Sequence, residues 1–231
     1  MPDINWSKNA VAGATASAYG DARQAEESTT NSVNTTSSNI LSVRFFQSTG
    51  RGGGQTGFSR SYMAFNFTGY TTGTITNLAL HWKGTTSSNG NYGTRVVKTN
   101  AFGSSTNFSD YVSTDWWESL DMSTTYSTSF TWLDSTAAQS VSLNSGAVTF
   151  AQNNSYLQIA LVNTTYDYSG INPGSSVSQI SYGNWSSNNM FLRFTYADAG
   201  YPNTVNSITS ANISKINSIA TANIDKVNSI S

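Results

Sequence analysis

Between positions 40 and 197, apolar and polar residues alternate over short stretches, and most stretches end in a cluster of Gly, Asn or Ser. The first is Ile40-Leu41-Ser42-Val43-Arg44-Phe45-Phe46. The next, Ser61-Tyr62-Met63-Ala64-Phe65-Asn66-Phe67, alternates aromatic and small side chains. In Thr74-Ile75-Thr76-Asn77-Leu78-Ala79-Leu80-His81-Trp82-Lys83 the large apolar residues keep one phase, except for a slip between Ile75 and Leu78. A slip of this kind matches a β-bulge, in which one extra residue flips the phase of the strand. Further strands are predicted at residues 95–98, 129–133, 141–143, 148–150, 156–162, 177–182 and 190–196. The turn Asn144-Ser145-Gly146 separates two of them. No apolar stripe at helical spacing is apparent between 40 and 197. Many short period-two runs divided by Gly/Asn turns predict an all-β antiparallel sandwich.

The ends of the chain follow other rules. Residues 1–39 are weakly patterned: a small-residue stretch from 10 to 18 suits a first strand or an extended arm, and a polar loop follows it. Residues 198–231 repeat. Positions 206–216 read N-S-I-T-S-A-N-I-S-K-I, positions 217–227 read N-S-I-A-T-A-N-I-D-K-V, and a third copy begins at Asn228. A unit of eleven residues is too short to bury its own apolar side chains. Ile208, Ile213, Ile216, Ile219, Ile224, Val227 and Ile230 therefore need a partner surface. One form is a continuous helix, for which an eleven-residue period favours a right-handed supercoil. The other is a short helix, capped by Ser210 or Thr221, that breaks at each Asn-Ser. The mediocre helix propensity of Asn, Ser, Thr and Ile favours the broken form. The expected organisation is thus an N-terminal arm with a first strand (1–39), a sandwich (40–197) and an oligomerisation or docking tail (198–231).

Composition narrows the function classes. Charged residues are 10% of the chain and the formal net charge is −1, which gives no electrostatic case for nucleic acid or a membrane surface. Ser, Thr and Asn together make up about 40%, well above ordinary usage, and suit turns and solvated strand faces. Aromatics at 13% are too many for a disordered chain. There is no cysteine, hence no disulfide framework. The first residues carry neither a basic segment nor an apolar run, so synthesis in a host cytoplasm without a secretory signal is expected.

Two resemblances add to this. Ile40-Leu41-Ser42-Val43, Arg60-Ser61-Tyr62-Met63-Ala64-Phe65 and Gly73-Thr74-Ile75-Thr76-Asn77-Leu78-Ala79-Leu80 resemble DNRLRE-type jelly-roll domains. Those domains run as a leading strand, an R-x-Y-x-x-F strand and a G-x-I-x-x-A-x-L strand. Met190-Phe191-Leu192-Arg193-Phe194-Thr195-Tyr196 is similar to that family's last strand. The likeness spans about residues 35–197 and implies a jelly roll, not a function. Asn77 departs from it, standing where a small apolar residue is usual, and no acidic cluster maps to a bound calcium. In the tail, Ile213-Ser214-Lys215-Ile216-Asn217-Ser218-Ile219-Ala220-Thr221-Ala222-Asn223-Ile224 is similar to the I-x-K-V-N-G-V-A-x-A-x-I repeats of tailed-phage virion proteins, with Ser218 and Ser229 in place of the usual Gly.

Candidate chemistry is sparse. His81, the single histidine, has no Ser/Asp constellation or second metal ligand beside it and reads as structural. Gly52-Gly53-Gly54, flanked by Arg51 and Arg60, lacks the Lys and Ser/Thr of a phosphate loop. No metal or cofactor motif is apparent. Of the acids Glu26, Glu27, Asp110, Asp115, Glu118 and Asp121, the last four lie around Tyr111, Trp116 and Trp117. Glycoside hydrolysis needs two carboxylates across a cleft, which this pattern does not specify. Aromatic faces do suit sugars, so Tyr111, Trp116 and Trp117, with Tyr166 and Tyr168, are candidate glycan contacts. Packing is the plainer role for the two tryptophans. The expectation is a non-enzymatic structural protein of a tailed-phage virion, a capsid decoration or a head or tail fibre subunit. It would associate with itself, as a trimer for example, or with other virion proteins through its repeats. The alternative is a carbohydrate- or receptor-binding module that meets a cell-surface glycan.

Overall fold

The computed structural model describes residues 1–24, 40–49, 54–83, 86–88, 93–103, 106, 108, 117–131, 138–184, 190–199, 215–216 and 219–220. In chain order the elements are β1 (Asp3–Asn5), β2 (Lys8–Ala16), α1 (Tyr19–Gln24), β3 (Ile40–Ser48), β4 (Gln55–Asn66), β5 (Thr74–Trp82), β6 (Thr86–Ser88) and β7 (Gly93–Thr99). They continue with β8 (Leu120–Thr125), β9 (Phe130–Thr131), β10 (Gln139–Ser142), α2 (Ser145–Asn154), β11 (Tyr156–Asn163), β12 (Val177–Asn184), β13 (Met190–Ala197), β14 (Lys215–Ile216) and β15 (Ile219–Ala220). A five-residue π-turn, Thr164–Tyr168, follows β11.

Among the described residues the chain is all-β in the main, with two large antiparallel sheets besides the two-stranded pair β14–β15. One has four strands in the order β1-β13-β5-β10. The other has nine, running β6-β12-β3-β4-β11-β7-β8, with β2 paired to β4 and β9 to β7. β4 is its hub. Tyr62 pairs with both Ala10 of β2 and Ala160 of β11, and Phe58 pairs with both Ala14 of β2 and Phe45 of β3. A strand has one partner per edge at each residue, so β2 lies along one edge of β4 while β3 and β11 follow one another along the other.

The shared core comes from both sheets. Ile75, Leu78, Leu80, Trp82, Met190, Leu192 and Phe194 of the smaller sheet meet Val43, Met63, Phe65, Val96, Leu157, Ile159 and Leu161 of the larger. These positions alternate along their strands, which is how each sheet gives one face to the core. The larger sheet is also covered on its reverse, where Tyr62, Val97 and Val162 pack with Ala10, Ala12, Ala64 and Ala160 under Phe102. That second covering explains why β4 and β11 are apolar on both faces.

The bulge expected at the Ile75–Leu78 slip is present. The register between β13 and β5 shifts between Arg193 and Thr195, opposite Ala79 and Thr76, and Asn77 takes a left-handed φ of 52° there. Asn is among the few non-glycine residues that tolerate this region.

Two expectations are corrected. Residues 148–150 are not a strand, and the span 40–197 does contain a helix. Ser145–Asn154 is α-helical, with Asn144 as its N-cap accepting from the Ala147 amide at 3.2 Å. Only Ala147 and Ala151 of this helix are fully buried, and so small a stripe gives little apolar periodicity to read. In the tail, residues 211–214 and 221–227, where the short helices are expected, lie outside the described residues. β14 and β15 pair antiparallel, with Lys215 opposite Ala220 and Ile216 opposite Ile219, two residues apart in sequence. β-branched isoleucine suits an extended pair of this kind.

Candidate functional site

The residues singled out from sequence are divided by the structure. Tyr111 and Trp116, and Ile208, Ile213, Ile224, Val227 and Ile230, lie outside the described residues. So do Glu26, Glu27, Arg51, Gly52, Gly53, Asp110 and Asp115. Ile216 and Ile219 occupy the facing positions of the β14–β15 hairpin. Trp117, Tyr166 and Tyr168 are described, and each ring has a protein partner. The guanidinium groups of Arg23 and Arg60 lie 4.8 and 4.9 Å from the Trp117 ring centre. Tyr166 stacks on Phe45 at 4.3 Å, and Arg95 lies 4.2 Å from the Tyr168 ring. His81 faces Phe191 in a parallel stack at 5.3 Å. Burial, together with the positive charge of Arg193, holds its imidazolium below the ordinary histidine range.

Under Trp117 is a buried ion pair. Arg60 Nε and Nη2 donate to the two carboxylate oxygens of Asp167 at 2.7 and 2.9 Å, and neither side chain is more than 4% exposed. Arg23 Nε donates to the Asp167 carbonyl at 2.8 Å, and Arg60 Nη2 also reaches the Arg23 carbonyl. The Tyr19 hydroxyl donates to the Tyr166 carbonyl. Burial opposes the charge on Arg60, but the carboxylate of Asp167 outweighs it and keeps the guanidinium protonated. The cluster joins α1, β4, the π-turn and the turn before β8. Its polar groups are paired with one another, so it acts as a structural fastener.

An open groove of about 330 Å³ lies where β7, the turn at 100–103, β8, α2 and the start of β11 meet. Its polar lining includes Lys98, Asn100, Glu118, Asp121 and Asn154, with Phe150 and Tyr156 as its aromatic part. Lys98 Nζ stands 4.0 Å from an Asp121 oxygen and 5.0 Å from the Phe150 ring centre. Phe150 and Tyr156 meet edge to face at 5.5 Å. Hydrogen bonds from Ser123 and Thr124, and the charge of Lys98, hold the Asp121 carboxyl below its ordinary range. Glu118 and Asp121 stand out in the sequence as acids beside aromatics. Phe150 and Asn154 do not, because they come together only once residues 145–154 are helical and place positions four apart on one face.

The groove wall is fixed from below. Gln158, 1% exposed, accepts from the Phe102 amide at 2.9 Å and donates to the Gly103 carbonyl. Thr99 Oγ1, also buried, donates to the Ser119 carbonyl at 3.0 Å and accepts from the Ala101 amide. Asn100 N donates to the Ser119 carbonyl, and Gly103 closes the turn by donating to the Asn100 carbonyl with a left-handed φ of 87°. Among the described residues, no group of three or more His, Cys, Asp or Glu is placed to hold a metal ion. Comparison of the chain with protein-family models and with curated proteins gives no match to either.

Proposed function

We propose that this chain is a non-enzymatic structural subunit of a tailed-phage virion, a sandwich carried on the particle and attached or trimerised through its C-terminal repeats. The in-register eleven-residue repeat carries the reading: seven aliphatic positions recur at fixed spacing in a segment too short to enclose them. The hairpin at the repeat junction supports it, because a two-stranded ribbon is marginal in water without a surface to lie on. Burying each isoleucine contributes about 1.5–3 kcal/mol, so several together anchor a subunit even after the ordering cost. We further read the sandwich as a jelly roll of the DNRLRE type. The motif positions Arg60, Tyr62 and Phe65 are all buried on β4, which favours this.

The test is to place charge at the facing hairpin positions of the full chain. Ile216→Asp and Ile219→Asp together should abolish self-association or particle binding while leaving the thermal unfolding of the sandwich unchanged. Association that withstands both substitutions contradicts the proposal.

A further inference from the structure

The groove beside α2 has a chemistry that the attachment role does not use. Its aromatic part is Phe150 against Tyr156, both half-buried; Lys98 Nζ stands over the Phe150 ring and Phe108 meets Tyr156 edge to face at 6.2 Å, and the ring surface left exposed beside them can meet a ligand carrying C–H groups. Around them stand a cation, a carboxylate and two amides: Lys98, Asp121, Asn100 and Asn154. The Lys98–Asp121 gap of 4.0 Å is too long for a hydrogen bond. A hydroxyl placed between the two can accept from the ammonium and donate to the carboxylate in the same position. One oxygen of Asp121 already accepts from Ser123 Oγ at 2.6 Å and from the Thr124 amide at 3.1 Å, which fixes the other toward Lys98. Asn154 donates to the Phe150 carbonyl at 2.9 Å, so its carboxamide is oriented too.

Size and charge narrow the ligand. A volume near 330 Å³ is at the lower end of small-molecule sites and admits one sugar ring with room for part of a second. Lys98 offers one positive charge against two negative charges on Glu118 and Asp121, so an anionic ligand is repelled. The buried Gln158, Thr99 and Ser119 hold the wall in place before any ligand arrives, which lowers the ordering cost of binding. We propose that this groove binds a neutral pyranose, stacked on the Phe150–Tyr156 pair with adjacent hydroxyls between Lys98 and Asp121.

Saturation-transfer difference NMR on the full chain tests it. The probes are the methyl glycosides of glucose, galactose, mannose and N-acetylglucosamine, with N-acetylneuraminic acid as the anionic comparison. At least one neutral glycoside should receive saturation at its ring C–H protons, and the anion should bind at least tenfold more weakly. Asn100→Ala and Asp121→Asn should each weaken binding at least tenfold, whereas Trp116→Ala should leave it unchanged. Amide shifts of the unaltered chain supply a readout that does not depend on any variant folding: the sugar should move Lys98, Asn100 and Asp121 ahead of the rest. No transfer to any neutral glycoside overturns the proposal. So does preference for the anion, shifts away from the groove, or loss of binding in Trp116→Ala alone.

Discussion

Asp167 has no route to water, and Arg60 is its bidentate partner. Removing one member of such a pair leaves the other charged and buried. Asp167→Ala should therefore cost about 3–5 kcal/mol in urea unfolding, and the double replacement Arg60→Met with Asp167→Leu should cost less than that single change. Equal losses in single and double variants would mean that shape, not charge, holds the site. His81 gives a pH prediction. Its imidazolium is disfavoured in the folded chain, so the unfolded chain takes up its proton first. Stability is full above the ordinary value of 6.5 and falls as the pH drops through 6.5 toward the lowered folded value. With one histidine in the chain, a single imidazole resonance reports the titration, and a folded midpoint at or above 6.5 contradicts the account. At this scale, Asn77 was the most legible residue. The phase slip around it announces a bulge, and an Asn in the slip can supply the left-handed φ. The Arg60–Asp167 pair was not legible, since 107 residues separate its partners and nothing local in either sequence points to the other.

Elements were legible where a strand faces the core on one side. β3, β5, β11 and β13 stand where alternation placed them. β8 is not legible in the sequence because its residues, Leu120 to Thr125, are neither deeply buried nor regularly apolar. α2 reads in sequence as a turn and a strand, because Val148 and Phe150 look like period two while the helix rests on two alanines. Its stability depends instead on its ends. Asn144 caps the first turn and also donates to the Thr125 carbonyl at 2.6 Å, so Asn144→Ala should destabilise the protein by about 1 kcal/mol or somewhat more in chemical denaturation. Ser155 closes the helix at a left-handed φ of 59°, where a side chain is a burden. Ser155→Gly should be neutral or stabilising by up to about 1 kcal/mol, the opposite of a glycine placed within the helix. A marked loss in Ser155→Gly would mean that the side chain supports the cap.

At the scale of the molecule, residues 3–16 contribute β1 and β2 to the two sheets, and Asp3 and Arg193 join β1 to β13 through two 2.7 Å hydrogen bonds. The sequence understates this segment because β2 is rich in small residues, of which Ala10 and Ala12 pack in one cluster with Tyr62, and these give no alternation of large and small. The all-β class and most of the strand set could be read from period-two patterning. The groove beside α2 could not, since it needs a turn, a helix and two strand ends brought together. The tail is the reverse case: its repeat is plain in the sequence, and the proposed partner surface is what remains to be tested. Sedimentation equilibrium of the full chain against a chain ending at residue 202 measures that most directly. The account predicts an oligomer, such as a trimer, for the full chain and a folded monomer for the shortened one, and an identical association state for both would contradict it.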